Sequence, residues 1–141
     1  MSVKPFSLLI KPTSADCNLR CAYCFYLKKS ELYSGSKVHR MSDEVLEKMV
    51  ANYLATEQPV YTFGWQGGEP TLMGLDFFKK AIALQEKYGK GKIISNSLQT
   101  NGTLLDDEFA EFLAKYNFLV GISVDGPEEI HDHYRKRADH T

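Results

Sequence analysis

The residues of this chain best suited to chemistry are its three cysteines, Cys17, Cys21 and Cys24, which lie within eight consecutive positions. Their C-x3-C-x2-C spacing lets three thiolates surround one metal centre if the loop that carries them curls around it. The 141 residues contain no further cysteine. Three ligands from one short loop leave a coordination position open for a ligand from outside the chain.

Four interpretations of the cysteines compete. A structural zinc site needs a fourth, tetrahedral ligand. That ligand would have to be one of four histidines, none of which has zinc-finger spacing to the cysteines: His39, His131, His133 and His140. A thioredoxin-like redox pair would use Cys21 and Cys24 and leave Cys17 unexplained. Three buried structural cysteines would not need to cluster. An iron–sulfur cluster normally takes four thiolates, so three would leave one iron open. The spacing favours a metal cluster.

We expect His39, His131 and His133 to be exposed surface residues.

The composition is that of a soluble globular domain rather than a disordered chain, with 43% hydrophobic and 12% aromatic residues. A formal net charge of −1 argues against an electrostatic nucleic-acid binder. No run of about 20 apolar residues could span a membrane, and the N-terminus lacks a signal-peptide pattern. We therefore expect a cytoplasmic protein with neither nucleic acid nor membrane as a partner.

Strand and helix patterns alternate along the chain. Apolar and β-branched runs predict strands at 6–10, 60–65, 93–98 and 118–124. Ser42 and Asp106 are predicted N-caps of two helices, a third helix is predicted over 75–88, and a fourth from Glu128. Six residues at helical spacing give the first helix one apolar face: Val45, Leu46, Met49, Val50, Tyr53 and Leu54.

This order predicts an α/β fold with a parallel sheet of about four βα units. A closed barrel of eight such units takes about 250 residues. The chain is therefore predicted to form either part of a barrel or a small open sheet. Polar segments follow each predicted strand, and the carboxyl end of strands is where barrel enzymes put their functional groups.

The cysteine motif, with Tyr23 just before its last cysteine, resembles the cluster motif of the radical S-adenosylmethionine (radical SAM) superfamily. It also follows the first strand, as in that family. Further motifs make the chain similar to anaerobic sulfatase-maturating enzymes over essentially its whole length: Leu8–Pro12, Cys24-Phe25-Tyr26, Gly67-Gly68-Glu69-Pro70, 97–102 (SLQTNG) and 123–127 (SVDGP).

This resemblance implies a [4Fe-4S] cluster held by Cys17, Cys21 and Cys24, with S-adenosylmethionine bound at the open iron. It also assigns cofactor contacts to five residues: Tyr23, Gly68, Glu69, Ser123 and Arg135. Gln66, Gln99 and Asn101 become candidates for the substrate site, while no catalytic residue is assigned. Without the resemblance, the glycine and asparagine segments would be ordinary turns, Tyr23 a surface aromatic, and Arg135 part of a solvated basic run.

The activity implied is the conversion of a cysteine or serine in a sulfatase precursor into Cα-formylglycine through a 5'-deoxyadenosyl radical. The implied partners are the sulfatase precursor polypeptide and a reduced flavodoxin- or ferredoxin-type electron donor. Two alternatives stay open at this point. One is a radical SAM enzyme that modifies another peptide, and the other is a metal-binding scaffold without catalysis.

The resemblance also implies that residues 1–141 are the N-terminal part of a partial (β/α)6 radical SAM barrel. Relatives continue through further strands into a cysteine-rich region with two auxiliary [4Fe-4S] clusters, for which this sequence has no ligands. We therefore expect a truncated chain that does not complete formylglycine formation alone. We also expect the strand at 118–124 to form an unpaired sheet edge.

Overall fold

Strands and helices alternate in the computed structural model, which describes residues 4–33, 35 and 38–139 and only the backbone of Ser30. Within those residues the elements are β1 (Leu8–Ile10), α1 (Asp43–Leu54), β2 (Tyr61–Trp65), α2 (Leu75–Tyr88), β3 (Ile94–Thr100), α3 (Asp107–Lys115), β4 (Leu119–Ile122) and α4 (Glu128–Tyr134). Short 3-10 turns occur at Ser30–Leu32 and Pro70–Met73. None of the helices in this part of the chain is long and apolar enough to cross a membrane.

The four strands form one parallel sheet in the order β1-β2-β3-β4. The predicted α/β fold with a parallel sheet is therefore confirmed. Because each strand lies beside its successor, every crossover advances the sheet by one position, as in the wall of a barrel. Within the described residues β4 pairs with β3 alone, which agrees with the expected edge strand.

All four strands differ from the prediction at one end or both: β2 begins at Tyr61 instead of Val60, β3 begins at Ile94 instead of Ile93, and β4 spans Leu119–Ile122 instead of 118–124. β1 begins at Leu8 instead of Phe6, because the Phe6 N–H donates to the Gln58 side chain (3.0 Å) and leaves the ladder. β3 runs on to Thr100, since Thr100 pairs with Ile122 of β4. Gln99 and Thr100 therefore belong to the strand itself and not to the loop that follows it.

Helices α1 and α3 begin at their predicted capping residues, and α2 ends at Gly89 as predicted. The Ser42 hydroxyl accepts the Val45 N–H at the start of α1 (3.2 Å), and Asp106 accepts the Phe109 N–H at the start of α3 (2.8 Å). Not every residue of the apolar face of α1 is buried, because Val45 is 52% exposed. It lies about 100° around the helix from the buried Leu46, outside the stripe that faces the sheet.

The core lies between one face of the sheet and helices α1, α2 and α3. Phe63, Trp65 and Phe78 are almost fully buried at its centre, and Trp65 meets Phe78 edge to face at a centroid distance of 5.8 Å. The opposite face of the sheet is open in these residues, where Leu9 and Gln99 are exposed. This asymmetry leaves one sheet face and the loops at its carboxyl edge accessible to ligands.

Candidate functional site

Four loops meet at the carboxyl edge of the sheet, one after each strand. The cysteine loop follows β1, the Gly67–Pro70 turn follows β2, Asn101 follows β3, and 123–127 follow β4. The contacts between the loops continue the order of the strands, because the Gln66 N–H donates to the Ile10 carbonyl (2.9 Å) and the Ser123 N–H to the Thr100 carbonyl (3.0 Å). The parallel sheet therefore gathers the predicted site residues at one edge.

The three cysteines are free thiols, with Cys21 buried and the other two half-buried. The sulfur of Cys17 accepts the backbone N–H of Leu19 (3.3 Å), and that of Cys24 accepts the N–H of Tyr26 (3.4 Å). Burial raises the pKa of the Cys17 and Cys21 thiols. Soft sulfur donors that also receive N–H bonds suit a thiolate-bound metal cluster. Among the described residues, no three His, Cys, Asp or Glu side chains are already arranged to hold a metal ion.

A cleft of about 870 Å³ opens beside the cysteine loop. Cys17 and Cys24 line it together with Asp16, Tyr26 and Arg40. Its walls combine thiols, charged groups and aromatic rings, so it can receive a polar organic ligand next to a metal centre.

Gly68 is required by the packing of two chain segments. Its N–H donates to the Ser14 carbonyl (3.0 Å), and the next N–H, of Glu69, donates to the Asp16 carbonyl (2.7 Å). A Cβ atom on Gly68 would lie 2.6 Å from the Asp16 carbonyl carbon, which no side chain tolerates. The turn after β2 is thus fastened directly to the residues that precede Cys17.

The Glu69 carboxylate is 1% exposed and serves as an acceptor for the neighbouring loops. One oxygen accepts the Thr71 N–H (3.0 Å) and the hydroxyls of Thr71 and Thr100 (both 2.7 Å). The other oxygen accepts the Asn101 N–H (2.7 Å). The buried Glu69 carboxylate therefore accepts four hydrogen bonds, which connect the loop after β2 to the end of β3.

The three candidate substrate residues separate into two places. The Asn101 amide donates to the Asn18 side chain (2.9 Å) and to the Cys17 sulfur (3.7 Å), so it belongs to the surroundings of the cysteines. Gln66 and Gln99 lie together on the open face of the sheet, beside a hollow of about 440 Å³. There Gln99 donates to the hydroxyl of Ser123 (3.0 Å).

The last residue of α4 and the segment after it hold the cysteine loop by backbone hydrogen bonds. The Ala22 N–H donates to the Tyr134 carbonyl (2.9 Å), and the Arg20 N–H donates to the Lys136 carbonyl (2.7 Å). This short antiparallel pairing carries Arg135 across the loop, where its Nη1 lies 3.8 Å from the Cys21 sulfur. Its side chain is only 14% exposed, so Arg135 is not part of a solvated basic run.

Asp125 joins Tyr23 to Arg135 and is a site residue that the sequence marks only as part of the turn after β4. The Tyr23 hydroxyl donates to Asp125 Oδ2, and Arg135 Nε lies 2.9 Å from the same oxygen as an ion pair. The Nε–H points away from hydrogen-bond geometry, so this contact is electrostatic. The Tyr23 hydrogen bond, followed by the Arg135 charge, holds the pKa of Asp125 below its ordinary value.

Two of the histidines, His39 and His131, are less exposed than predicted. His39 is 22% exposed, and its Nδ1 lies 2.9 Å from Asp16 Oδ1. The other oxygen of Asp16 accepts the backbone N–H of His39 (2.6 Å) and a guanidinium N–H of Arg40 (2.8 Å). Although burial opposes it, these bonds lower the pKa of Asp16. His131 is half-buried and accepts the Asp125 N–H (3.3 Å), His133 is exposed as predicted, and His140 lies outside the described residues.

Comparison with known proteins gives strong matches over this whole region. The chain is 51% identical over 134 residues to the serine-type anaerobic sulfatase-maturating enzyme of Bacteroides thetaiotaomicron, which covers 94% of this chain and 32% of that enzyme. It is 53% identical over 133 residues to the cysteine-type enzyme of Clostridium perfringens, covering 94% of this chain and 36% of that enzyme. The chain thus spans about a third of the length of these relatives.

A solved structure described as native anSMEcpe with bound AdoMet and Cp18Cys peptide superimposes with a TM-score of 0.86 at 50% identity. The match covers 96% of this chain and 36% of that structure. The family model of the radical SAM superfamily matches residues 12–141. The family suggested by the cysteine motif is confirmed, and the chain belongs to the radical SAM superfamily.

Proposed function

We propose that residues 1–141 form the N-terminal part of the radical SAM core of an anaerobic sulfatase-maturating enzyme. The observation that carries this proposal is identity of about one half to both cysteine-type and serine-type enzymes across 94% of the chain. The reaction is the oxidation of a cysteine or serine in a sulfatase precursor to Cα-formylglycine. The enzyme is cytoplasmic and takes its electrons from a reduced flavodoxin- or ferredoxin-type protein.

Cys17, Cys21 and Cys24 are the proposed ligands of one [4Fe-4S] cluster. The chemistry supplied by that cluster, when bound, is the one-electron cleavage of S-adenosylmethionine to methionine and a 5'-deoxyadenosyl radical. The chain's part is to supply three thiolates from one loop, so that one iron stays open to the cofactor. The N–H bonds to the sulfurs of Cys17 and Cys24 stabilise negative charge on the ligands.

The proposed cofactor contacts are Tyr23, Gly68, Glu69, Ser123 and Arg135. Since four donors occupy the Glu69 carboxylate, Glu69 contributes through its backbone, and its side chain fixes the turn. The Arg135 guanidinium suits a carboxylate such as that of the methionine moiety. Gln66 and Gln99 on the open sheet face are proposed to meet the substrate peptide, whereas Asn101 acts beside Cys17.

Anaerobic reconstitution with iron and sulfide tests the cofactor part of the proposal. The protein should bind about four iron and four sulfide per chain and should form 5'-deoxyadenosine from S-adenosylmethionine and dithionite. The triple variant Cys17→Ala, Cys21→Ala, Cys24→Ala should lose both properties while keeping its far-ultraviolet circular dichroism. Zinc binding without iron, or a cluster that never yields 5'-deoxyadenosine, would contradict the proposal and favour a non-catalytic scaffold.

Peptides from sulfatase precursors, with either cysteine or serine at the target position, test the substrate. We expect formylglycine, detected by mass spectrometry, only when the remaining part of the relatives' fold accompanies these 141 residues. Formation of formylglycine by the 141 residues alone would overturn the assignment of the chain as one part of the core. Modification of an unrelated ribosomal peptide but not of the sulfatase peptides would instead favour another peptide-modifying radical SAM enzyme.

A further inference from the structure

A positive charge lies against one of the three cysteines. Nη1 of Arg135 lies 3.8 Å from the Cys21 sulfur, and the arginine side chain is 14% exposed. Burial next to a sulfur strengthens the interaction between the guanidinium and any negative charge on that sulfur, because water screens it poorly there. Among the contacts described for Cys17 and Cys24, neither sulfur has a cationic partner. Arg135 therefore distinguishes Cys21 from the other two.

Two side chains fix the position of this guanidinium. Asp125 Oδ2 lies 2.9 Å from Nε, and the Tyr23 ring lies 5.5 Å from the guanidinium carbon. The Tyr23 hydroxyl donates to the same Asp125 oxygen, which holds the carboxylate in place. His131 accepts the Asp125 N–H and anchors the backbone of the aspartate. An aromatic ring beside the guanidinium and an opposite charge at Nε thus hold Arg135, while its Nη1 contacts the sulfur.

We propose that Asp125 and Tyr23 are positioning residues that keep Arg135 against Cys21, and that this guanidinium raises the reduction potential of the cluster. The inference rests on the proposed function, because it requires a cluster on Cys21. Reduction adds one negative charge to a cluster and its thiolates. A cation that donates toward a ligand sulfur stabilises the reduced state more than the oxidised state.

The midpoint potential of the reconstituted cluster tests the proposal directly. It is measured without S-adenosylmethionine, by dithionite titration followed by electron paramagnetic resonance, so that cofactor affinity does not enter. Arg135→Gln removes the charge and should lower the potential. Arg137→Gln makes the same chemical change at an exposed position two residues later and should leave the potential unchanged.

Asp125 can affect the cluster potential in two ways, by positioning Arg135 and by its own negative charge. The direction in which Asp125→Asn shifts the potential distinguishes these two effects. Removing a nearby negative charge would by itself raise the potential. Loss of positioning lets the guanidinium turn away from Cys21 and should lower the potential, in the direction of Arg135→Gln. In the Arg135→Gln background the downward shift should disappear. Asp132→Asn, at an exposed position on α4, is the matched control and should have no effect.

Tyr23→Phe provides the conservative variant if Asp125→Asn fails to retain iron. It keeps the ring beside the guanidinium, removes only the hydroxyl that holds Asp125, and should give a smaller downward shift. An unchanged potential in an iron-replete Arg135→Gln protein, or an upward shift in Asp125→Asn, would overturn the inference alone. A wild-type protein that assembles no cluster would overturn the proposed function, and this inference with it.

Discussion

Replacing Glu69 by glutamine tests whether this carboxylate fastens two loops of the site together. The substitution keeps the shape of the side chain but replaces one oxygen by an NH2 group. Three of the four donors converge on Oε1, so the glutamine oxygen should stay there and receive Thr71 and Thr100. The new NH2 group then faces the Asn101 N–H, which is left without its acceptor at the former 2.7 Å contact.

The expected loss of stability follows from two buried donors, the new NH2 group and the Asn101 N–H, which face each other without an acceptor. A buried donor without a partner costs about 1–3 kcal/mol, so the pair should lower the free energy of unfolding by roughly 2–6 kcal/mol. The loss should also free Asn101 from the end of β3 and weaken its contact with the Cys17 sulfur. Urea denaturation of the apoprotein, followed by circular dichroism, measures the change in the free energy of unfolding.

The matched control is Glu86→Gln, because Glu86 lies exposed on α2 and makes the same chemical change at the surface. Its unfolding free energy should stay within about 0.5 kcal/mol of wild type. If Glu69→Gln were no less stable than Glu86→Gln, the four short contacts would not be stabilising, and the reasoning would be refuted.

Three further substitutions test other parts of the fold by the same denaturation assay. Gly68→Ala should cost about 3 kcal/mol, because its Cβ would meet the Asp16 carbonyl; a cost no greater than the roughly 1 kcal/mol expected for positive-φ Gly91→Ala would argue against that clash. Ser42→Ala removes the α1 cap and should cost about 1 kcal/mol; an unchanged stability would mean that the cap contributes nothing. Phe78→Ala empties the aromatic core and should cost about 3–5 kcal/mol, and a loss below about 1 kcal/mol would show that the core collapses around it.

Much of the fold could be predicted because the relevant information is local. α2 occupies Leu75–Tyr88 as predicted, and Ser42 and Asp106 cap their helices, since a cap depends on residues only three positions away. The alternation of elements likewise indicates a parallel sheet, because a parallel pair needs a crossover between its strands. The exposed Val45 shows the limit of such patterns, because periodicity gives the width of the buried helix face only approximately.

The sequence by itself determined the alternation of strands and helices along the chain and the cysteine spacing that marks the radical SAM superfamily. Only the tertiary structure decided what surrounds each site residue. Arg135 and Cys21 are 114 positions apart, and Glu69 reaches Asn101 from the neighbouring strand. Such contacts depend on sheet register and on the pairing of the segment after α4 with the cysteine loop, which no local pattern encodes. The basic residues around Arg135 would look the same in the sequence whether its side chain were exposed or buried, and only the packing of the folded chain decides between the two.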